Sequence, residues 1–184
     1  MAALASEFGP ELIALEYYSS GEYACNDARA MFDKYVIPRL STPQTRFNGS
    51  SGTVVSTDRY IQYKEQIERE QQKQQSSKSR SMLLSGNLIN ASGKIRINVD
   101  LTNLSDDILR NASLYAVIYE SVTFDDGSQH NIVVGVTQAI AIDSLGVGSQ
   151  AKYQLQHDLA YSGSYGAVIM LTLPGEIARA YQIK

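Results

Sequence analysis

The sequence predicts an α+β chain: a β-α-β-β-α module over residues 1–78, followed by an all-β sandwich over residues 79–184. Three observations predict it. Helical and strand-like apolar runs alternate in the first part of the chain. The stretch EQIEREQQKQQSSKSR, residues 65–80, then passes from a helical pattern into a Gln, Lys and Ser run that can bury almost nothing. That is the composition of a solvated helix end and a linker. Beyond it, strand signals dominate to the last residue.

Residues 11–18, ELIALEYY, lie between Gly9-Pro10 and Ser19-Ser20-Gly21 and predict a buried strand. A helix follows, with Asn26 as its N-cap and Ala28, Met31, Phe32, Tyr35 and Val36 on one apolar face. Pro38 stops it, because proline disfavours the helical conformation in the residue before it. Residues 45–47 and 53–56 flank the turn-rich Asn48-Gly49-Ser50-Ser51-Gly52 and predict a hairpin. Thr57 then caps a second helix on which Tyr60, Tyr63, Lys64 and Ile67 share a face.

In the second half, strands are predicted at 82–90, 94–101, 113–124, 131–139, 151–158, 166–173 and 176–183. The second of these alternates cleanly: Ile95, Ile97, Val99 and Leu101 point one way, and Lys94, Arg96, Asn98 and Asp100 the other. That is a half-buried antiparallel strand. Turn residues separate the strands at Ala91-Ser92-Gly93, Asp125-Asp126-Gly127, Gly146-Val147-Gly148 and Pro174-Gly175. About 100 residues and seven strands are the dimensions of an immunoglobulin-like or fibronectin type III sandwich.

Composition narrows the function classes. A net charge of −3 gives no electrostatic reason to expect nucleic acid. No apolar run approaches the roughly twenty residues needed to span a bilayer. Residues 1–10 lack the basic start and apolar core of a signal peptide, which fits either a cytoplasmic protein or an exported domain without its leader. One cysteine, Cys25, suits both compartments. The N-x-S triplets at Asn48, Asn90, Asn103 and Asn111 matter only on a glycosylating route. His130 and His157 are the only histidines, and they read as strand or strand-edge residues. Asp125-Asp126 and Asp106-Asp107 read as turn formers without the spacing of a calcium loop. Motifs of nucleotide-binding proteins, hydrolases and zinc peptidases are absent. No cofactor and no metal site are expected.

The segment Ser41-Thr42-Pro43-Gln44-Thr45-Arg46-Phe47-Asn48-Gly49 resembles the TP-x-x-x-x-NG segment of thioredoxin-like proteins, where a cis-proline loop faces the redox pair. With Leu15-Glu16-Tyr17-Tyr18-Ser19-Ser20, LYAVIYE at 114–120 and His130-Asn131-Ile132-Val133-Val134, the chain resembles bacterial extracytoplasmic proteins that join a thioredoxin-like module to an immunoglobulin-like domain, outer-membrane lipoproteins among them. The resemblance implies a shortened thioredoxin-like module, because one strand and one helix of the complete form are missing. It also implies a cis Thr42–Pro43 bond beside Cys25, as a vestigial peptide groove. If Cys25 matches the second cysteine of C-x-x-C, Glu22 holds the first position. If it matches the first, Cys25 is a monothiol at a helix N-terminus.

A chain with a single cysteine cannot close an internal disulfide. The expectation is therefore a non-catalytic, extracytoplasmic binding or assembly protein at the periplasm or cell surface, with a protein partner or a second copy as its ligand. The alternative is a monothiol reductase or peroxidase-like enzyme using Cys25.

Overall fold

The computed structural model describes residues 4, 7–9, 12–35, 44–47, 51–55, 60–76, 81–91, 93–159, 163–174 and 176–183. Its elements are α1 (Asn26–Tyr35), β1 (Gln44–Phe47), β2 (Ser51–Val55), α2 (Tyr60–Ser76), β3 (Met82–Ala91), β4 (Lys94–Asn103), β5 (Leu109–Thr123), β6 (Gln129–Val136), β7 (Ile140–Leu145), β8 (Gln150–Asp158), β9 (Tyr165–Leu173) and β10 (Glu176–Ile183).

The chain is mostly β. One antiparallel sheet has the order β3-β4-β8, and a second has the order β10-β9-β5-β6, with β7 also on β5. The two face each other across a core of Ile95, Ile97, Val99 and Leu101 from β4 and Leu155 from β8, against Leu114, Ala116, Ile118, Ile169 and Leu171. Strand β5 is 15 residues long and pairs with β7 through its first half and β6 through its second. Thr137 makes the break between those partners. Its amide donates to Ala116 O (2.9 Å) and its hydroxyl accepts from Ala116 N–H (2.9 Å), so a side chain replaces one rung of the ladder. The strand expected at 131–139 therefore ends at Val136, and β7 begins after it.

Among the described residues the thioredoxin-like β-α-β-β-α module is not seen. Residues 12–18 are extended, but their one bridge is Glu16 to Ile132 on β6, parallel in sense. β1 and β2 form a separate two-stranded sheet. The reason is burial. Ile13, Leu15 and Tyr17, together with Ala28 and Met31 of α1, cover the outer face of the larger sheet at Tyr115, Val117, Tyr119, Val133, Val168 and Met170. That face offers more apolar area than a two-stranded hairpin can, and burial of apolar area drives the docking. A smaller cluster of Leu4, Phe47, Tyr63 and Ile67 holds α2 against β1, with Thr45 Oγ1 and Tyr63 OH 2.8 Å apart.

Candidate functional site

Cys25 occupies the N-cap of α1, one residue before the expected Asn26. Its carbonyl accepts the first helical bond from Arg29 N–H (3.0 Å), and its sulfur accepts from Ala28 N–H (3.3 Å). The thiol faces Val133 O at 3.7 Å. Two residues on, Asp27 Oδ2 accepts from Val136 N–H (2.9 Å) and lies 3.6 Å from His157 Nε2. The start of α1 is thus fastened to the edge of β6 by side chains. Thr42 and Pro43, the expected cis-proline groove, lie outside the described residues, as does Thr57.

His130 joins the same edge to the preceding segment. Its Nδ1 is 2.6 Å from Glu16 Oε1 and its Nε2 is 2.7 Å from Ser128 Oγ. The ring stacks on Phe124 at 4.3 Å, Phe124 stacks on Tyr23 at 5.8 Å, and Tyr23 meets Tyr18 at 5.5 Å. Serine, histidine and carboxylate in this order have the connectivity of a hydrolase triad. The serine hydroxyl is shared, however: Ser128 Oγ donates to Asp126 Oδ1 while also lying against Nε2, so its single proton is not held for the imidazole. The amides of Ser128 and Gly127 are committed too, Ser128 N–H to Asp126 Oδ1 (2.9 Å) and Gly127 N–H to Phe124 O (2.8 Å), leaving neither for an oxyanion. These bonds with Ser128 hold the Asp126 carboxyl below the usual range. The arrangement is a latch between the residue 12–18 segment and the β5–β6 hairpin.

His157 projects from β8 across to Gly135, where any side chain would collide with the ring: a Cβ there would lie 2.5 Å from Nε2. Beside it, an open groove of about 660 Å³ lies between Gln138, Ala139 and Ile140 on one side and Gln154, Leu155, Gln156, His157 and Asp158 of β8 on the other. Among the described residues no cluster of three or more His, Cys, Asp or Glu is placed to hold a metal.

At one end of the sandwich a buried polar clamp fixes two loops. Asn103 Nδ2 donates to Asp107 O (2.8 Å) and Leu145 O (2.9 Å), and its Oδ1 accepts from the Ser105 amide (3.0 Å) and hydroxyl (2.6 Å). Its backbone bonds Gly148 N–H and Ser149 O. Held this way, the two loops present Leu104 (61% exposed), Ile108 (47%) and Val147 (54%) to solvent. Asn103 itself is fully buried, which rules it out as a glycan acceptor. Asp106 and Asp107 fall in this loop as turn formers. A polar residue flanked by exposed aliphatics is the signal for such a clamp, and it is weak without the fold.

No family model matches the chain, and no curated protein matches it. Solved structures do. A domain of the outer membrane lipoprotein Omp28 from Porphyromonas gingivalis matches with a TM-score of 0.40 and 13% identity over 56% of this chain and 87% of that one. The sporulation control protein Spo0M from Bacillus subtilis matches with 0.36 and 11% over 56% of this chain and 47% of that one, so this chain spans less than half of Spo0M. Protein AGR_C_4864 from Agrobacterium tumefaciens matches with 0.50 and 14% over 89% of this chain and 72% of that one. At such identities the likeness concerns the fold alone. Among the described residues no helix is long and apolar enough to cross a membrane.

Proposed function

We propose that this chain is a binding or assembly protein whose working parts are surfaces rather than a reaction centre. The observation that carries the reading is the Asn103 and Ser105 clamp, which spends buried hydrogen bonds on holding Leu104, Ile108 and Val147 in the open. Isolated exposed aliphatics are ordinary. Three of them on two loops cross-tied to one buried amide form a preorganised contact, which lowers the ordering cost of binding. An extracytoplasmic location, at the periplasm or cell surface, belongs to the proposal, and fractionation of cells making the protein tests it.

A photo-crosslinking side chain at position 147, introduced in cells that make the protein, is expected to yield a discrete adduct that L104D/I108D abolishes. Insulin reduction and peroxide consumption are expected to be equal for the wild type and C25S. Turnover that depends on Cys25, with no adduct at 147, sinks the reading.

A further inference from the structure

We infer that β8 is a homodimer edge, on which a second copy of this chain adds its own β8 in antiparallel register to make one six-stranded sheet. The inference deepens the assembly reading, on which it rests, by naming the partner of a second surface, the strand that leads out of the clamped 146–149 loop.

The sheet edges are not alike. The edge at β6 is occupied by Glu16, whose N–H and C=O bond Asn131 O and Val133 N–H at 2.9 Å each. β10 carries a register shift between Ile177 and Arg179, and β3 packs against β10. Bulges and covering segments are the usual protections of an edge. β8 has neither. Its register with β4 runs unbroken from Lys94↔Asp158 to Thr102↔Gln150, it holds no Pro or Gly, and among the described residues no backbone bond is made on its outer side. The groove described above, of about 660 Å³, is open to solvent beside residues 154–158.

The side chains of β8 complement themselves. Along the solvent face, Asn98 Nδ2 donates to Asn87 Oδ1 (3.4 Å) and Gln154 Nε2 to Asn98 Oδ1 (3.1 Å), an amide ladder that crosses the sheet and stops at the edge. An antiparallel β8 pair centred on Gln154 places that amide opposite its own copy, so the ladder continues across the junction. The same register sets Lys152 opposite Gln156 and diagonal to Asp158, joining opposite charges on both sides of the two-fold axis. A foreign strand would need to reproduce this pattern; the chain already carries it.

Sedimentation velocity on the full chain tests the inference. The wild type is expected to reach twice the 20.2 kDa chain mass as concentration rises to about 100 µM, a range that captures weak association. Q154K, an exposed change that sets like charges against each other at the axis, should weaken the dimer at least tenfold, and mixing Q154K with Q154E should restore it. In a C25S background, where serine keeps the helix cap, Q154C is expected to form an intermolecular disulfide. Opposed antiparallel Cα atoms are about 4.5–5.5 Å apart, within disulfide reach. Q150C, far from the axis, should not form one. A wild type that stays monomeric, or a dimer indifferent to Q154K, overturns the inference. If the adduct at position 147 survives that result, the wider assembly reading stands; if both fail, both fall.

Discussion

Replacing Asn103 with Ala removes an amide that bonds two carbonyls and takes two donors in the interior. The buried groups left behind cost about 2 to 4 kcal/mol, readable as a lower urea midpoint. Tyr119 carries a packing constraint of another kind. A Cβ on Gly166 would lie 2.3 Å from Tyr119 Cζ, and that buried ring cannot retreat without breaking the bond from Gln182 Nε2 to its hydroxyl (2.7 Å). Gly166→Ala is expected to destabilise by about 1 to 3 kcal/mol in the same assay. Tyr17 and Tyr115, under the cover of α1, have hydroxyls whose ionisation is pushed up by burial first and by Tyr35 second. A raised folded pKa gives stability that is complete below the ordinary tyrosine range and is lost as pH rises beyond it. Circular dichroism followed above pH ~10 should show unfolding, delayed in Tyr17→Phe.

At the scale of elements, the consequence of α1 lies in what it hides. Met31→Asp places a charge against Tyr115, Val133 and Met170, and is expected to release α1 with residues 12–18, seen as a gain in binding of an apolar dye. How far such an arrangement is legible in sequence depends on where its signal resides. The strict alternation of β4 is local, so its inward residues can be read directly. The runs LYAVIY in β5 and YGAVIML in β9 do not alternate, and that continuity is the mark of strands buried on both faces, which demands a third layer. What supplies the layer is not local. Residues 11–18 read as a strand, but nothing in their pattern says that they serve the edge of β6 rather than a hairpin nearby. The Asn103 clamp and the Glu16–His130 latch depend on partners distant in sequence for the same reason.

Across the whole molecule, stability is expected to be uneven. β4, β5 and β9 are flanked by paired strands and buried on their core faces, whereas α2 with β1 and β2 rests on the small cluster around Phe47, Tyr63 and Ile67. Native-state hydrogen exchange should therefore find α2, β1 and β2 opening first and β4, β5 and β9 last; uniform protection would contradict this division. The cover of the larger sheet also has a consequence during synthesis. Glu16 and His130 are 114 residues apart, so at about 5–20 residues per second the covering segment leaves the ribosome roughly 6 to 23 s before its latch partner exists. Its apolar side of Ile13, Leu15, Tyr17 and Met31 is without its sheet throughout that interval, which makes the nascent N-terminal segment a stretch that a holding chaperone would recognise until translation has passed β9.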